Sequence, residues 1–370
     1  MNKLTKICLP LAIAATLMSA VLPKVWADGP GDEDREGRGR RAFQFALITD
    51  VPYNAGEVTQ FDNVIAEINA ERSLSFVLHG GDIKSGSSAC SDQLFQERFN
   101  QYQKFNLPFI YTPGDNEWTD CHREAAGQFN PIERLAKIRE IFYPRPGFST
   151  GRRPQRVVSQ ASRSGFEKYV ENQIWIKNGV VFSAIHVVGS NNNLSPWSGI
   201  GETLTGAQVP TQPNECQGRS NRVDLCRERT AEYQERLAAA LDWLDKTFQA
   251  AERLNSAGVF ILIHANPGFE LATDDPERTG FNAFLEALAT KSIEFGKPVV
   301  LAQGDSHFLL IDKPLFAQAT DGSNRRIPNF TRIQAFGTPD VYWIRVTVDP
   351  NRAGVFLFEP VIVEENQPVF

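Results

Sequence analysis

The stretch Phe76-Val-Leu-His-Gly-Gly-Asp82 is an apolar run that stops at a Gly-Gly-Asp sequence. Two further stretches share this construction, Phe43-Gln-Phe-Ala-Leu-Ile-Thr-Asp50 before it and Phe109-Ile-Tyr-Thr-Pro-Gly-Asp115 after it. Their final aspartates are 32 and 33 residues apart, the spacing of a strand, a loop, a helix and a return loop in a parallel unit. The repeated pattern predicts an α/β fold with each aspartate at the carboxyl end of a strand.

The three aspartates are expected to lie close together. Loops at the carboxyl ends of parallel strands converge on one crevice of an open sheet, so Asp50, Asp82 and Asp115 should meet there. Carboxylates held this close disfavour one another's charge unless a cation lies between them. The sequence therefore predicts a cation-binding site at this edge of the sheet.

Two later apolar runs also end in potential metal ligands. His264 comes directly after the run 259–263, and the pair Asp305 and His307 follows the run 299–302. Imidazole and carboxylate groups are common protein ligands of divalent ions. We therefore add His264, Asp305 and His307 to the predicted metal site.

Taken in order, these strand ends resemble the motifs of the calcineurin-like metallophosphoesterase superfamily. That family has Asp-x-His, Gly-Asp, Gly-Asn-His-Glu, a lone His after a strand, and Gly-His-x-His, in the same order as the corresponding stretches here. The resemblance covers about residues 43–312. It implies a four-layer αββα sandwich with two metal ions at the strand ends, and hydrolysis of phosphate esters through a metal-bound hydroxide.

The resemblance also divides the ligands between the two ions. Asp82 would bridge them. The first ion would take Asp50 and His307 in addition, and the second would take Asp115, His264 and Asp305.

Four positions depart from the family's pattern, and they are Pro52, Asp115, Asn116 and Asp305. Pro52 stands where the family has the His of Asp-x-His, while Asp115 and Asp305 replace an Asn and a His. Because carboxylates suit hard ions, Asp115 and Asp305 should keep the second site but shift it toward Mn, Mg or Ca. The identity of the two ions stays open among Mn, Mg, Ca, Fe and Zn. The neighbouring Tyr53 is either a replacement ligand or part of an ordinary Pro-Tyr turn.

Candidate catalytic groups lie near these motifs. Asn116 stands where the resemblance implies a His that helps to protonate the leaving group, and loss of such an acid typically costs about 10²–10⁴-fold in rate. His122 is the nearest alternative acid in the sequence, or else a surface His beside a disulfide. Lys84 would attract the phosphate, since four carboxylates roughly neutralise two divalent ions.

The N-terminus predicts export. Residues 1–27 have the pattern of a secretory signal peptide, with lysines before an apolar run and a small-residue cleavage site after it. An uncleaved anchor helix is the alternative, but the run is short and contains Pro10. Residues 28–41 have almost no apolar side chain and are expected to be a disordered leader. The mature protein, a metallophosphoesterase-like domain over 42–370 with an insertion at 195–225, would be periplasmic or secreted, with no membrane segment.

Four cysteines follow the signal peptide, Cys90, Cys121, Cys216 and Cys226. An even number in an exported protein favours two disulfides, and four cysteines allow three connectivities. Cys216 and Cys226 flank a polar loop, while Cys90 and Cys121 each follow a Gly-Asp loop by a few residues. This arrangement predicts the pairs Cys90–Cys121 and Cys216–Cys226, with free or zinc-binding thiols as the alternative.

Apolar spacing predicts helices between the strands, the clearest of them over about 58–70 and about 230–255. Two β-rich runs between 341 and 359 predict a hairpin that closes the sheet.

Composition limits the choice of partners. The net charge of -6 over 370 residues is mild and gives no support to nucleic-acid binding. A small-molecule phosphoester is therefore the expected substrate. Two alternatives stay open: a catalytically impaired protein of the same fold that binds a ligand or partner, and a calcium-stabilised structural protein. The sequence carries no signal for the oligomeric state.

Overall fold

The computed structural model describes residues 40–206 and 209–368 of the chain. The predicted signal peptide at 1–27 lies outside the described residues, as does the predicted leader up to residue 39. Arg40 and Arg41 are the last two residues of the predicted leader. Their backbone carbonyls accept hydrogen bonds from asparagine side chains of the domain at 2.6 and 2.9 Å. Arg40 and Arg41 therefore contact the domain.

Fourteen β-strands lie in the described part of the chain. In chain order they are β1 (Phe43–Ile48), β2 (Leu74–His79), β3 (Phe109–Tyr111), β4 (Val158–Ser159), β5 (Gln173–Lys177), β6 (Val180–Ala184), β7 (Val259–Leu262), β8 (Val299–Gln303), β9 (Leu310–Asp312), β10 (Phe316–Gln318), β11 (Asn324–Arg326), β12 (Phe330–Gln334), β13 (Trp343–Val348) and β14 (Phe356–Val361). All but β10 and β11, which pair with each other, belong to two large sheets.

The first large sheet has the strand order β14-β13-β1-β2-β3. Strands β1, β2 and β3 run parallel, as the three aspartate-terminated runs predict. Strands β13 and β14 form the predicted hairpin, with Trp343 opposite Val361. Because β13 pairs antiparallel with β1, the hairpin extends the sheet on the side away from β2.

The second large sheet has the order β4-β5-β6-β7-β8-β12-β9. Strands β6, β7, β8 and β12 are parallel neighbours, and β5 and β9 pair antiparallel at their flanks. The strands that precede His264 and Asp305 are therefore central and parallel, so their carboxyl ends lie at one edge of the sheet.

Six α-helical segments, besides short 3₁₀ helices, lie in the described ranges. They are α1 (Ala55–Ala70), α2 (Asp92–Tyr102), α3 (Pro131–Phe142), α4 (Gly189–Asn193), α5 (Val223–Arg253) and α6 (Asn282–Phe295). Helices α1 and α2 connect β1 to β2 and β2 to β3, as expected for parallel units.

Helix α1 begins at Ala55 rather than near residue 58, because a capping pair precedes it. Asn54 Oδ1 accepts a hydrogen bond from the Glu57 amide at 3.0 Å, and Asn54 Nδ2 donates to Glu57 Oε1 at 2.7 Å. The first contact satisfies a backbone amide that would otherwise lack a partner in the first turn, and the second holds the capping side chain in place.

Helix α5 begins at Val223 rather than near residue 230, so the predicted insertion at 195–225 ends about where this helix starts. The early turns of α5 bury Arg229, which pairs with the equally buried Glu202 at 2.7 Å. Because a charged residue lies on the inner face, the apolar spacing is interrupted there. The spacing of apolar residues therefore predicts a helix that is shorter than the observed one.

The two large sheets face each other across a core of aromatic rings. Phe45 and Phe76 of the first sheet stack with their ring centres 4.7 Å apart, and Phe45 meets Phe260 of the second sheet edge-on at 5.1 Å. All three side chains are buried. Each aromatic side chain of this size removes a large apolar area from water, so these rings hold the sheets together.

Helices cover the opposite face of each sheet. Helices α1, α2 and α3 pack on the first sheet through residues such as Phe61 and Phe95. Helices α5 and α6 pack on the second sheet through residues such as Leu244 and Leu288. The chain is therefore a mixed α/β structure whose layers fit an α/β sandwich.

Both predicted disulfides, Cys90–Cys121 and Cys216–Cys226, are present. Two disulfides fit a protein outside the cytoplasm, because reducing compartments keep most thiols free. Within residues 40–206 and 209–368, no helix has the length and apolar character needed to cross a membrane.

Candidate metal centre

The loops after β1, β2 and β3 carry Asp50, Asp82 and Asp115, and all three side chains are buried. Asp50 and Asp82 have left-handed backbone conformations, with φ of 55° and 56°. Aspartate tolerates this region better than most residues. The turns direct both carboxylates back over the ends of the strands.

The second sheet supplies the remaining predicted ligands from the loops after β7 and β8. His264 is fully buried, while Asp305 and His307 are partly accessible. Asp305 and His307 also have left-handed backbones, with φ of 73° and 68°. The structure thus brings the ends of both sheets to one place.

The ligand atoms form two clusters. The first metal group consists of Asp50, Asp82 and His264, whose ligand atoms lie within 4.8 Å of one another. The second metal group consists of Asp115, His264 and Asp305, which meet the same limit. His307 lies beside the first metal group, with Nε2 3.6 Å from Asp50 Oδ1. All six predicted metal ligands are therefore gathered, and buried Asp and His groups of this kind could hold a metal ion.

His264 provides a test of whether a cation fits. Its Nδ1 lies 2.8 Å from the Gly80 carbonyl, which can only accept, so Nδ1 carries the proton. Its Nε2 is buried, has no hydrogen-bond partner among the described residues, and faces Asp82 Oδ1 and Asp115 Oδ1 at 3.4 Å each. Once Nε2 gives up its proton in favour of a bound ion, this nitrogen and the carboxylate oxygens around it form the donor set of a divalent ion.

The pKa values in the cluster show the same need for positive charge. Burial lowers the pKa of His264, but the surrounding carboxylates, Asp82 first among them, outweigh burial and raise it well above its usual value. Burial raises the pKa of Asp50 to about 7 and that of Asp305 to about 6. Burial also raises the pKa of Asp115, but the contact with His264 outweighs it and lowers that pKa to about 2. A bound cation would relieve the cost of burying these carboxylates.

Tyr53 lies at the first metal group rather than in an outward turn. Its hydroxyl donates to Asp82 Oδ2 at 2.7 Å and lies 3.2 Å from His307 Nε2. Asn116 Nδ2 donates to the same Asp82 oxygen at 2.5 Å and to the Tyr53 hydroxyl at 2.9 Å. Pro52 thus leaves its position without an imidazole, and a phenol and an amide hold the Asp82 carboxylate instead.

Glu117 connects the loops after β2 and β3. Its Oε1 accepts hydrogen bonds from the Gly114 amide at 2.6 Å, the Tyr111 hydroxyl at 2.7 Å and the Asp82 amide at 3.2 Å. Glu117 was not among the predicted site residues, although it belongs to the same Gly-Asp-Asn-Glu stretch. The Cys90–Cys121 disulfide ties the same two loops together.

Ser190 and Asp120 are further site residues that the sequence did not indicate. Ser190 Oγ lies 3.0 Å from Asp115 Oδ2 and 2.7 Å from Asp120 Oδ1. Burial and the nearby Asp115 raise the pKa of Asp120 to about 7. Arg123 Nη2 approaches Asp120 from the other side at 2.6 Å. Ser190 and Asp120 thus form a polar shell around the second metal group.

Ser190 belongs to α4, which is a left-handed turn. Its residues 190–193 have φ between 51° and 66°. The three asparagines are held by side-chain contacts: Asn191 by the Gly280 amide at 2.7 Å, Asn192 by Arg236, and Asn193 by Thr119 at 2.6 Å. Because several elements hold it, the turn keeps a conformation that is unfavourable in isolation.

The proposed catalytic residues have different surroundings. Lys84 is fully buried and donates from Nζ to the Ser85 carbonyl at 2.9 Å. Burial lowers its pKa to about 8, although the carboxylates around it, Glu117 first, act in the opposite direction. Lys84 is therefore placed to balance charge inside the site rather than to touch a ligand. Asn116 lies within the site, as the Asp82 contact shows.

His122 is placed against the insertion. It is buried rather than on the surface, and its Nδ1 accepts a hydrogen bond from the Gly199 amide at 3.2 Å. Burial and the charge of Arg123 lower its pKa to about 4, so the ring is neutral at pH 7. Among the described residues, no hydrogen bond joins the His122 side chain to the carboxylates of the two metal groups.

A charged network lies behind the site. Glu171 is fully buried, pairs with Arg139 at 2.5 Å and lies 3.0 Å from His186 Nδ1. Burial raises the pKa of Glu171, but the charge of Arg139 and the hydrogen bond from His186 outweigh it and lower the pKa to about 2.

No protein-family model matches this chain, and no curated protein sequence matches it either. Among solved structures, the chain is similar to GAP50, described as the anchor in the inner membrane complex of Plasmodium. The two are 8% identical, with a TM-score of 0.43, over 89% of this chain and 87% of the other. Similarity at this level identifies neither a family nor an activity.

Proposed function

We propose that the chain is a metal-dependent phosphoesterase of the calcineurin-like type, with a four-layer αββα sandwich. The observation that carries the proposal is the meeting of all six predicted metal ligands at the strand ends of two facing sheets. Helices on the outer face of each sheet support the four-layer architecture.

The proposed cofactors are two divalent ions. The first would be held by Asp50, Asp82 and His307, and the second by Asp82, Asp115, His264 and Asp305. When bound, such ions stabilise charge on phosphoryl oxygens and lower the pKa of water. Because most ligand atoms are carboxylate oxygens, Mn²⁺, Mg²⁺ and Ca²⁺ are better candidates than Fe or Zn²⁺.

The chain's own polar groups would orient the ligands. Asn116 and Tyr53 hold one oxygen of Asp82, and Ser190 holds one oxygen of Asp115. Outer contacts of this kind typically change metal affinity or activity by about 10–100-fold. The site therefore depends on residues that bind no metal themselves.

The site has no obvious side chain that could donate a proton to the leaving group. Asn116 cannot titrate, and His122 is neutral at pH 7 and faces the insertion. A leaving group that departs as a stable anion needs no general acid, so the absence of an acid does not slow its release. We therefore propose that the best substrates have good leaving groups.

A second candidate function is a binding module with impaired catalysis. The observation that favours it is the saturation of Asp82 Oδ2 by the Tyr53 hydroxyl and the Asn116 amide. A first ion would have to displace or share these contacts, whereas the second metal group faces no such competition at His264 Nε2.

We further propose that the protein is periplasmic or secreted and that its substrate is a small-molecule phosphoester rather than nucleic acid. The two disulfides support an oxidising compartment. The mild net charge of -6 gives no attraction to nucleic acid.

Metal content and hydrolysis of an activated aryl phosphate test the proposal together. Asp82→Ala should abolish hydrolysis and lower bound metal most, because it contributes to both ions, while Asp305→Ala should leave the first ion partly bound. Asp305→His should shift preference toward Zn²⁺, since imidazole suits softer ions. Asp274→Ala, at an exposed position, is the matched control.

The outcomes separate the two candidates. Metal binding with hydrolysis that Asp82→Ala removes supports the phosphoesterase. Metal binding without turnover on any activated ester supports the binding module. A wild-type protein that binds no divalent ion above background rules out the metal-dependent enzyme.

A further inference from the structure

A cavity of about 410 Å³ opens beside the second metal group. Asp305 belongs both to that metal group and to the wall of the cavity, so the two are continuous. Gly189 and Ser190 of the left-handed turn line the same wall. A substrate whose phosphoryl group lies at the metal centre could therefore extend its alcohol part into this cavity.

The charged groups that line the cavity are acidic. They are Asp305, Glu270 and Glu277, and none of the described lining residues is a lysine or an arginine. Arg332 reaches Glu270 at 2.6 Å, but it also binds Asp312 at 2.7 Å, so its charge is shared between two carboxylates.

Arg278 is a further nearby cation, besides the Arg123 that pairs with Asp120. Its guanidinium donates to the Leu271 carbonyl and to Asn282 Oδ1, the latter at 3.2 Å. Because it is committed to these acceptors and does not line the cavity, the accessible charge of the wall is negative.

Neutral donors and acceptors complete the wall. Asn266 Nδ2 donates to Ser306 Oγ at 2.9 Å, so the Ser306 O–H can still donate to a ligand. The backbone N–H of Asn266 donates to Asp305 Oδ2 at 2.8 Å, which fixes the position of this residue. Preorganised amide and hydroxyl groups suit hydroxyl or amine groups of a ligand.

We propose that this cavity binds the alcohol part of the substrate, and that this part is a small hydroxyl- or amine-bearing group that is neutral or cationic. The inference rests on the proposed phosphoesterase function. A second phosphate or a carboxylate would face Glu277 and Glu270, the latter paired with an arginine that Asp312 shares, and like charges in contact are strongly disfavoured. The cavity has room for roughly a dozen water-sized groups, which suits a small alcohol part.

Two phosphate esters of similar size and opposite charge test the inference. 2-Aminoethyl phosphate carries an ammonium group where 2-phosphoglycolate carries a carboxylate. Both alkyl esters have poor leaving groups, so they are compared as competitive inhibitors of aryl phosphate hydrolysis by the Mn²⁺-loaded protein, where the aminoethyl ester should bind about tenfold or more tighter. Glu277→Lys should reverse the preference, while Glu286→Gln, on the exposed face of α6, should leave it unchanged.

Binding measurements separate this inference from the proposed function. If the protein hydrolyses an aryl phosphate but treats the two esters alike, the cavity assignment is wrong and the phosphoesterase stands. If it hydrolyses no ester, the phosphoesterase fails, and calorimetric affinities of the same two esters decide the cavity assignment. A preference for the aminoethyl ester that Glu277→Lys reverses supports it, and equal affinities overturn it.

Discussion

Replacing Gly189 by alanine should loosen the second metal group. A Cβ built on Gly189 would lie 2.4 Å from Asp115 Oδ2 and 3.2 Å from Asp305 Oδ1. Ordinary contact begins at 3.4 Å, so the Asp115 carboxylate would have to retreat by about 1 Å into close-packed surroundings. That movement would also stretch its hydrogen bond to Ser190.

A shift of this size exceeds what metal ligation tolerates. Ligand distances usually lie within about 0.2 Å of their ideal values. We therefore expect Gly189→Ala to weaken the binding of one Mn²⁺ by about 10- to 100-fold, the range typical of lost orienting contacts. The other ion should be affected less, since no atom of Asp50 is among the closest neighbours of the built Cβ.

Calorimetric titration of the metal-free protein with Mn²⁺ measures both affinities. Gly354→Ala is the matched control, because a Cβ there would meet nothing within 4 Å. Circular dichroism and the thermal midpoint establish that each variant is folded. A folded Gly189→Ala protein with wild-type affinity for both ions would refute the argument that this close approach shapes the site.

Three further predictions concern the surroundings of the site. Tyr53→Phe removes a hydroxyl shared by three polar neighbours, and elemental analysis should show about tenfold weaker retention of one ion; unchanged metal content would place Tyr53 outside the metal site. Serine at both Cys90 and Cys121 should lower stability in urea by about 2–4 kcal/mol and weaken Mn²⁺ binding, whereas the same change at the other disulfide should spare metal binding. The pKa of Glu171 is lowered from 4.5 to about 2, so its stabilisation is present above pH 4.5 and lost as pH falls toward 2. That contribution is roughly 3 kcal/mol, and Glu171→Gln should flatten the pH dependence of the free energy of unfolding by this amount; parallel curves for the two proteins would contradict it.

The strand ends were predictable because two local signals coincide there. A buried parallel strand needs an apolar run, and its carboxyl end needs a turn that Gly or Asp can form. Asp50, Asp82 and Asp115 combine both signals, and the structure places each of them at the end of a parallel strand. The same logic holds for His264, which follows β7 directly.

The polar shell around the ligands was not predictable, because it depends on contacts between distant parts of the chain. Ser190 reaches Asp115 and Asp120 across at least 70 residues of sequence. The three asparagines after Ser190 do signal left-handed backbone. Nothing in the sequence says which elements they bind.

Burial of charged and polar side chains was also hidden from the sequence. Apolar spacing did not reveal the first turns of α5, because Arg229 lies on the buried face and pairs with Glu202. His122 is buried because the insertion packs over it at Gly199. The burial of Arg229 and of His122 depends on how the insertion packs against the rest of the domain. No local sequence pattern specifies that packing.

The left-handed conformation of Asp50, Asp82, Asp305 and His307 restricts how these positions can change during evolution. Most other side chains would strain the backbone there by about 1–2 kcal/mol, whereas Asn and Gly fit without much strain. The substitutions that keep these loop conformations are therefore ones that replace a carboxylate or imidazole ligand by an amide or by no side chain at all. A lineage with this fold could gain or lose an ion in single steps while its backbone stays the same, so likeness of shape between two such proteins says little about whether both carry metal.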